Sequence, residues 1–249
     1  MMIRPLLATA AVVLVAMTPA CAEGNKAPAN MNSAELETFI HEYIVTHPEV
    51  IEEAIIALNA RDRAEAAKAA QEAISQNKDK LYSLDTDYFI GPADAPVTVV
   101  EFFDYRCGYC KRSLPFIQEL PEEFDNKVRV VFKEYPIFGG ISETAALAAL
   151  AAGKQDKYYD MHAALMNLKS NDQLTEKKID ELAEEIGVDV RKMRADMQSV
   201  TLKKQLDDMQ RLGHALNLDG TPGFYIGDTA IGGADEQGVK NAIREALKG

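Results

Sequence analysis

The chain has 249 residues, of which 47% are hydrophobic and 27% are charged. These proportions are typical of a globular protein with enough apolar residues for a substantial core. The formal net charge of −12 argues against nucleic acid as a partner, because binding to phosphates needs a basic surface. We therefore expect a globular protein whose partners are not nucleic acids.

Residues 1–22 have the pattern of a secretory signal peptide. A basic start is followed by an apolar run and by small residues that suit cleavage after Ala22. The run is too short to span a bilayer, so we expect an exported protein, located in the periplasm of a bacterium. The alternative is a lipoprotein that is cleaved after Ala20 and acylated on Cys21. Thr18 stands where such signals usually carry Leu, which favours the first interpretation.

Residues 23–88 are predicted to form an N-terminal helical region. Apolar residues recur at helical spacing on both sides of Pro48 and form one apolar stripe: Leu36, Ile40, Ile44, Ile51, Ile55 and Leu58. The second helix is expected to continue to about residue 77. An apolar stripe cannot be buried against its own helix, so it packs on the rest of the chain or pairs with other copies, unless it remains a solvated stalk. The sharper prediction is a homo-oligomer.

A Cys-x-x-Cys motif lies between a predicted strand and a predicted helix. Residues 97–103 are apolar and aromatic, as in a buried strand, and residues 111–120 have a helical pattern that begins just after Cys107 and Cys110. A helix N-terminus stabilises a thiolate, which is the species that attacks disulfides. The motif therefore indicates thiol-disulfide exchange. The alternative is a structural disulfide, but a pair separated by two residues closes too small a loop to stabilise much of a fold.

The remaining patterns complete an α/β domain over residues 89–249. Residues 128–135 predict a second strand, which completes a strand-helix-strand unit. Helical patterns then occupy residues 142–169, 174–186, 188–197 and 202–216. A hairpin around Gly227 and Asp228 and a last helix end the chain. We predict a thioredoxin fold with a helical subdomain inserted at about residues 140–216.

Several residues make the chain from about Phe89 onward resemble the DsbA-like branch of the thioredoxin superfamily. Pro115 lies where helices of this superfamily are kinked by a proline, and Lys111 follows the second cysteine as is common there. Glu101, six residues before Cys107, matches the buried acid of the family. The resemblance implies an enzyme that exchanges disulfides with exported client proteins and is reset by a membrane redox partner.

The residues around the motif have expected roles. Cys107 is expected to be the attacking thiolate, helped by the positive charge of Arg106, and Cys110 is expected to resolve the mixed disulfide. Glu101 is expected to take or relay the proton of Cys110, with Lys133 of the next strand as its charge partner. The alternatives are a solvent-facing Glu101 and a Lys133 that is merely a surface residue.

Thr221 and Pro222 are the predicted substrate-binding residues, because they match the cis-proline that faces the disulfide in the family. X-Pro bonds adopt the cis form far more readily than other peptide bonds. A cis bond here leaves the backbone of Thr221 free to pair with an extended substrate strand. An ordinary trans turn before the hairpin is the alternative.

Gly108 and Tyr109 are predicted to tune the redox potential. Strongly oxidising DsbA-type enzymes resemble one another in carrying Pro-His between the cysteines, whereas Gly-Tyr looks like the disulfide isomerase DsbC. The N-terminal helices resemble those of oligomeric, DsbA-related suppressor-of-copper-sensitivity (ScsC-type) proteins. These resemblances imply an isomerase or reductase, and a disulfide-introducing oxidase is the alternative.

Copper(I) binding is an alternative function of a different class. Two thiolates are soft ligands, and the predicted insertion contains further sulfur atoms in Met161, Met166, Met193, Met197 and Met209. At helical spacing, however, methionines are usually core residues. The four histidines show no spacing that completes a zinc site with the cysteines. We expect neither a metal nor a cofactor.

Overall fold

A computed structural model describes residues 31–248. The predicted signal peptide and the alternative acylation of Cys21 therefore fall outside the described residues. The chain divides into two compact units between Asn59 and Ala60, earlier than the boundary that we predicted after residue 88. None of the helices in residues 31–248 is long and apolar enough to cross a membrane.

The described part of the first unit is helical. It contains α1, Ser33–Thr46, and the beginning of α2, Glu49–Tyr82. Asn32 caps α1 by accepting from the N–H groups of Ala34 and Glu35, both at 3.1 Å. The apolar stripe is largely uncovered, with Leu36 43% exposed and Ile55 53% exposed.

The second unit is built on a five-stranded sheet. Its strands are β1, Tyr88–Ile90; β2, Val97–Phe103; β3, Val128–Glu134; β4, Gly223–Ile226; and β5, Thr229–Gly232. Their order is β1-β3-β2-β4-β5, with β2 and β3 parallel and the other neighbours antiparallel. This is the predicted thioredoxin arrangement. The short edge strand β1 was not predicted.

Seven further helices belong to the second unit as described. They are α3, Gly108–Glu123; α4, Ile141–Gly153; α5, Tyr158–Met166; α6, Glu176–Glu185; α7, Val190–Met197; α8, Val200–Ala215; and α9, Glu236–Ala246. The helix predicted over residues 142–169 is in fact two helices, α4 and α5. The break lies at residues 154–157, where Asp156 has a φ of 60° that a helix cannot contain.

Different helices pack against the two faces of the sheet. Helices α3, α4, α5 and α9 contribute to the larger core, together with inward-facing residues of β2 and β3 such as Val99 and Val130. On the opposite face, the second half of α2 supplies the buried Ile74 and Leu81, which belong to the same apolar cluster as Phe102 of β2. The division of the chain falls within α2 because its second half is part of this core.

Candidate active site

The two cysteines lie where β2 leads into α3. Cys107 is the N-cap residue of α3 and Cys110 lies in its first turn. Both are present as thiols. Pro115 and Pro121 lie inside the same helix, the first at the position expected for the superfamily. A central buried strand therefore holds the dithiol at a helix N-terminus.

Hydrogen bonds stabilise the thiolate form of Cys107. Its pKa is lowered to about 6, chiefly by the thiol of Cys110 and further by the Thr221 side chain and the backbone N–H groups of Cys110 and Tyr109, against the opposing effect of burial. The Cys110 N–H donates to Cys107 Sγ at 3.3 Å. In its thiol form, Cys107 donates to the carbonyl oxygen of Thr221 at 3.1 Å. Cys107 is thus the more acidic thiol and the available nucleophile.

The environment of Cys110 raises the pKa of its thiol, whereas that of Cys107 lowers it. The residue is 1% exposed, and burial is the largest cause that raises its pKa far above the ordinary value. Donation of its thiol hydrogen to Cys107 and the nearby charge of Glu101 raise the pKa further. Cys110 therefore keeps its proton until a neighbouring base removes it. This asymmetry matches the predicted roles of attacking and resolving thiol.

Glu101 is a buried carboxyl group of β2. It is 3% exposed, which rules out the solvent-facing alternative. Burial raises its pKa to about 8, while donation from the Ser113 hydroxyl at 3.1 Å acts against this rise. Glu101 and Cys110 interact electrostatically, so a proton that leaves the thiol has an acceptor of suitable pKa nearby. The role of Glu101 in proton transfer stays a prediction.

The prediction that Lys133 pairs with Glu101 is wrong. Lys133 forms a buried ion pair with Asp87 and donates to the carbonyl oxygen of Lys80 at 3.2 Å. In the parallel register, Lys133 lies opposite Phe102, whereas Glu101 lies opposite Phe132. Side chains alternate between the faces of a sheet, so Lys133 and Glu101 point to opposite sides.

Arg106 and Tyr109 lie on the rim of the site. The guanidinium of Arg106 is 5.5 Å from the ring centroid of Phe138, and its predicted help to the Cys107 thiolate stays a prediction. The Arg112 guanidinium lies 4.1 Å from the centroid of Tyr109, a ring that is 58% exposed. Gly108 has no atom within 4 Å of the position that a Cβ would take, so a side chain fits there.

Thr221 and Pro222 lie beside Cys107, as the hydrogen bond to the Thr221 carbonyl shows. The peptide bond between them is cis, which excludes the trans alternative. The Pro222 carbonyl accepts from the Gly233 N–H at 2.8 Å, and the Thr221 side chain helps to lower the pKa of Cys107. Their contact with substrate stays a prediction.

Asp104 is a functional-site residue that sequence analysis missed. Its carboxylate is buried and accepts from the Arg106 N–H at 2.7 Å, from the Ser142 hydroxyl at 2.8 Å and from the Phe138 N–H at 3.1 Å. Asp104 thus ties the turn before Cys107 to the loop that carries the exposed Phe138. The sequence feature that could have pointed to Asp104 is its position immediately after β2 and three residues before Cys107.

A third buried carboxyl group, that of Glu134, lies at the end of β3. Tyr105 and Tyr158 donate to Glu134 at 2.8 and 2.9 Å, and His162 lies 3.3 Å from the Tyr105 hydroxyl. Burial holds the pKa of His162 down at about 3 and raises that of Glu134 well above its usual value. This network supports the turn before Cys107. In the sequence, the only indication of this network is Glu134, a charged residue in an otherwise apolar strand pattern.

We expect the thiolate absorbance of the reduced protein to titrate with a midpoint near pH 6. A lowered pKa means that ionisation of Cys107 stabilises the folded reduced form above the pKa of the unfolded thiol, and that this stabilisation is lost as the pH falls through about 6. The Cys107→Ser variant should lack this titration. A midpoint at the ordinary cysteine pKa in the native protein would contradict the assignment.

The fold and the dithiol together define a class of protein, the thiol-disulfide oxidoreductases with a thioredoxin fold. Residues 82–245 match the family model described as Thioredoxin, and residues 33–65 match the Copper resistance protein ScsC N-terminal domain. The chain therefore belongs to the thioredoxin family, and it is a DsbA- and ScsC-type member of that family. The predicted fold class and the predicted resemblance are confirmed.

Individual relatives agree with this assignment. A thioredoxin-like oxidoreductase from Silicibacter pomeroyi DSS-3 is 34% identical and superposes with a TM-score of 0.65, covering 70% of this chain and 99% of that chain. ScsC from Proteus mirabilis, in a compact conformation, is 30% identical with a TM-score of 0.58, covering 80% of this chain and 98% of that one. A probable disulfide bond formation protein D from Bacillus cereus is 29% identical over 188 residues, which cover 70% of this chain and 87% of the relative.

Proposed function

We propose that this protein reshuffles or reduces the disulfides of other exported proteins in the bacterial periplasm, as an isomerase or reductase. The observation that carries this proposal is the exposed apolar stripe of α1 and the first half of α2. Within the described chain, residues such as Ile40 and Ile51 remain 47% and 45% exposed, as expected of a surface that pairs with other copies. An isomerase benefits from such an assembly, because several dithiols then act on one client.

The acidity of Cys107 supports a moderate redox potential. Its pKa of about 6 lies between the values of about 7 for thioredoxin and about 3.5 for DsbA. A strong oxidant needs a strongly stabilised thiolate in its reduced form. The Gly108-Tyr109 pair supplies no imidazole for this purpose, so the dithiol is expected to remain reduced more readily than in a Pro-His enzyme.

The site geometry supports both reactions through one intermediate. The Cys107 thiolate attacks a client disulfide, which forms a mixed disulfide and releases one client thiolate. In isomerisation, another client thiolate attacks the mixed disulfide and regenerates reduced Cys107. In reduction, Cys110 passes its proton to Glu101 and attacks Cys107 Sγ, which releases the client thiolate and leaves a Cys107–Cys110 disulfide. A membrane redox partner then returns the pair to the dithiol.

The rim offers contacts for an unfolded client. Tyr109 and Phe138 are exposed apolar rings on the surface around the dithiol, and Ile137 beside Phe138 is 43% exposed. The carbonyl of Thr221 accepts from Cys107 and so lies beside the attacking sulfur, which supports the proposal that a client backbone pairs with Thr221. All five insertion methionines are buried side chains of the core, so they offer no exposed sulfur ligands for copper(I).

One pair of proteins tests the direction of the reaction. The native chain should reactivate scrambled ribonuclease efficiently and should oxidise reduced ribonuclease slowly. Changing Gly108→Pro and Tyr109→His should reverse this ratio and raise the reduction potential, where each ~30 mV corresponds to about 1.4 kcal/mol. Proline suits the first position of a helix, and the space around Gly108 accepts it. If the native chain oxidises reduced ribonuclease as fast as the variant does, it is an oxidase and the proposal is wrong.

A further inference from the structure

Ser113 lies between Glu101 and Cys110 in the buried part of the site. Its side chain is fully buried, and its Oγ lies 3.1 Å from Glu101 Oε1 and 2.9 Å from the carbonyl oxygen of Cys110. Both neighbours are hydrogen-bond acceptors when Glu101 is ionised. A hydroxyl group has one hydrogen but two acceptor lone pairs. Ser113 therefore donates to only one of these neighbours at a time.

We propose that Ser113 is a positioning residue that keeps the Glu101 carboxyl hydrogen-bonded in both of its protonation states, so that Glu101 takes up and returns the Cys110 proton. When Glu101 is ionised, the Ser113 hydrogen turns to the carboxylate. When Glu101 holds the proton, its O–H donates to Ser113 Oγ and the Ser113 hydrogen turns to the Cys110 carbonyl. Rotation of one hydroxyl hydrogen serves both states, with no movement of heavy atoms.

This arrangement fits the proton balance of the resolving step. The proton leaves Cys110 Sγ for the Glu101 carboxylate, the S–S bond forms between Cys110 and Cys107, and the client sulfur departs with the electron pair. A buried carboxylate that lacks a donor is strongly disfavoured, so Glu101 would otherwise keep its proton and be unable to accept another. Burial does raise the pKa of Glu101 to about 8, and the Ser113 hydrogen bond opposes that rise.

The other groups that face Glu101 do not replace Ser113. Cys107 and Cys110 of α3 act on it as negative charges when ionised, and Tyr159 of α5 interacts with it electrostatically. The strand neighbours Phe132 and Phe224 are apolar. Among the described residues, no Lys, Arg or His nitrogen lies within 4.0 Å of its carboxylate, since Lys133 pairs with Asp87. The Ser113 hydroxyl is the donor that the structure provides.

The test measures the rate at which Cys110 resolves a mixed disulfide between Cys107 and a peptide, as a function of pH. In the Ser113→Ala variant, the midpoint of this rate profile should move upward by about one to two pH units, the size of one lost hydrogen bond to a charge. In a Glu101→Gln background, the same substitution should leave the midpoint unchanged. Carbon-13 NMR of the Glu101 carboxyl should show the same upward shift directly.

Thr98→Val is a control, because Thr98 lies on the same strand as Glu101 but its hydroxyl accepts from Arg129 and does not contact the dithiol. It should leave the midpoint where it is in the native protein. A Ser113→Ala variant that slows resolution equally at every pH, or shifts the midpoint also with Gln at residue 101, would show a merely structural role. The inference rests on the disulfide exchange of the proposed function, and it holds whether the enzyme reduces or oxidises its clients. Failure of the native protein to form mixed disulfides at any pH would refute that function instead.

Discussion

The Cys110→Ser variant is expected to accumulate mixed disulfides with client proteins, whereas Cys107→Ser should accumulate none. Cys107 carries the thiolate at the start of α3, and the buried Cys110 keeps its proton until after the first attack. Insulin reduction should fall to the uncatalysed rate in the Cys107 variant, because no nucleophile remains at the helix N-terminus. Non-reducing electrophoresis of cell extracts and an insulin turbidity assay measure the two effects.

The control for this experiment is the double variant, which should trap no client and should have the same circular dichroism spectrum as the single variants. Equal trapping by the two single variants would mean that both thiols attack clients. That result would contradict the difference between the lowered pKa of Cys107 and the raised pKa of Cys110.

Ile55→Glu is expected to convert an oligomer into a monomer and to abolish the reactivation of scrambled ribonuclease. Burying one such side chain contributes about 1.5–3 kcal/mol, so a charge in the apolar stripe removes this gain and adds a large desolvation cost. Insulin reduction should persist, since each catalytic domain keeps its dithiol. Analytical ultracentrifugation at micromolar concentration and the ribonuclease assay measure the outcome.

Ile56→Glu is the matched control, because Ile56 lies next in the same helix and is 60% exposed but does not belong to the apolar stripe. It should remain oligomeric and active on scrambled ribonuclease. A native protein that sediments as a monomer would refute the assembly. Deleting residues 22–83 would be a poorer test of assembly, because it also removes Ile74 and Leu81 from the core of the second unit.

The sequence by itself determined the features that depend on short stretches of chain. The continuous apolar run of β2, the cysteines at the start of α3 and the Thr221-Pro222 pair each lie within a few consecutive residues, and their local chemistry sufficed to place them. The apolar stripe was also predictable, because helical spacing alone defines it. From these features followed the fold class, which the structure confirms, and the predictions of the nucleophile and of disulfide exchange.

Only the tertiary structure decided which distant residues meet. The register between β2 and β3 decided on which face of the sheet the Lys133 side chain lies relative to Glu101. A shift of one residue in register moves a side chain to the opposite face. Strand β1 has only three residues, which is too short to show a period in the sequence. Pairing with β3, which lies far along the chain, stabilises it. Ser113 resembled an ordinary helix residue until the fold brought Glu101 to it. Polar contacts of this kind connect residues far apart in the chain, so no local pattern records them.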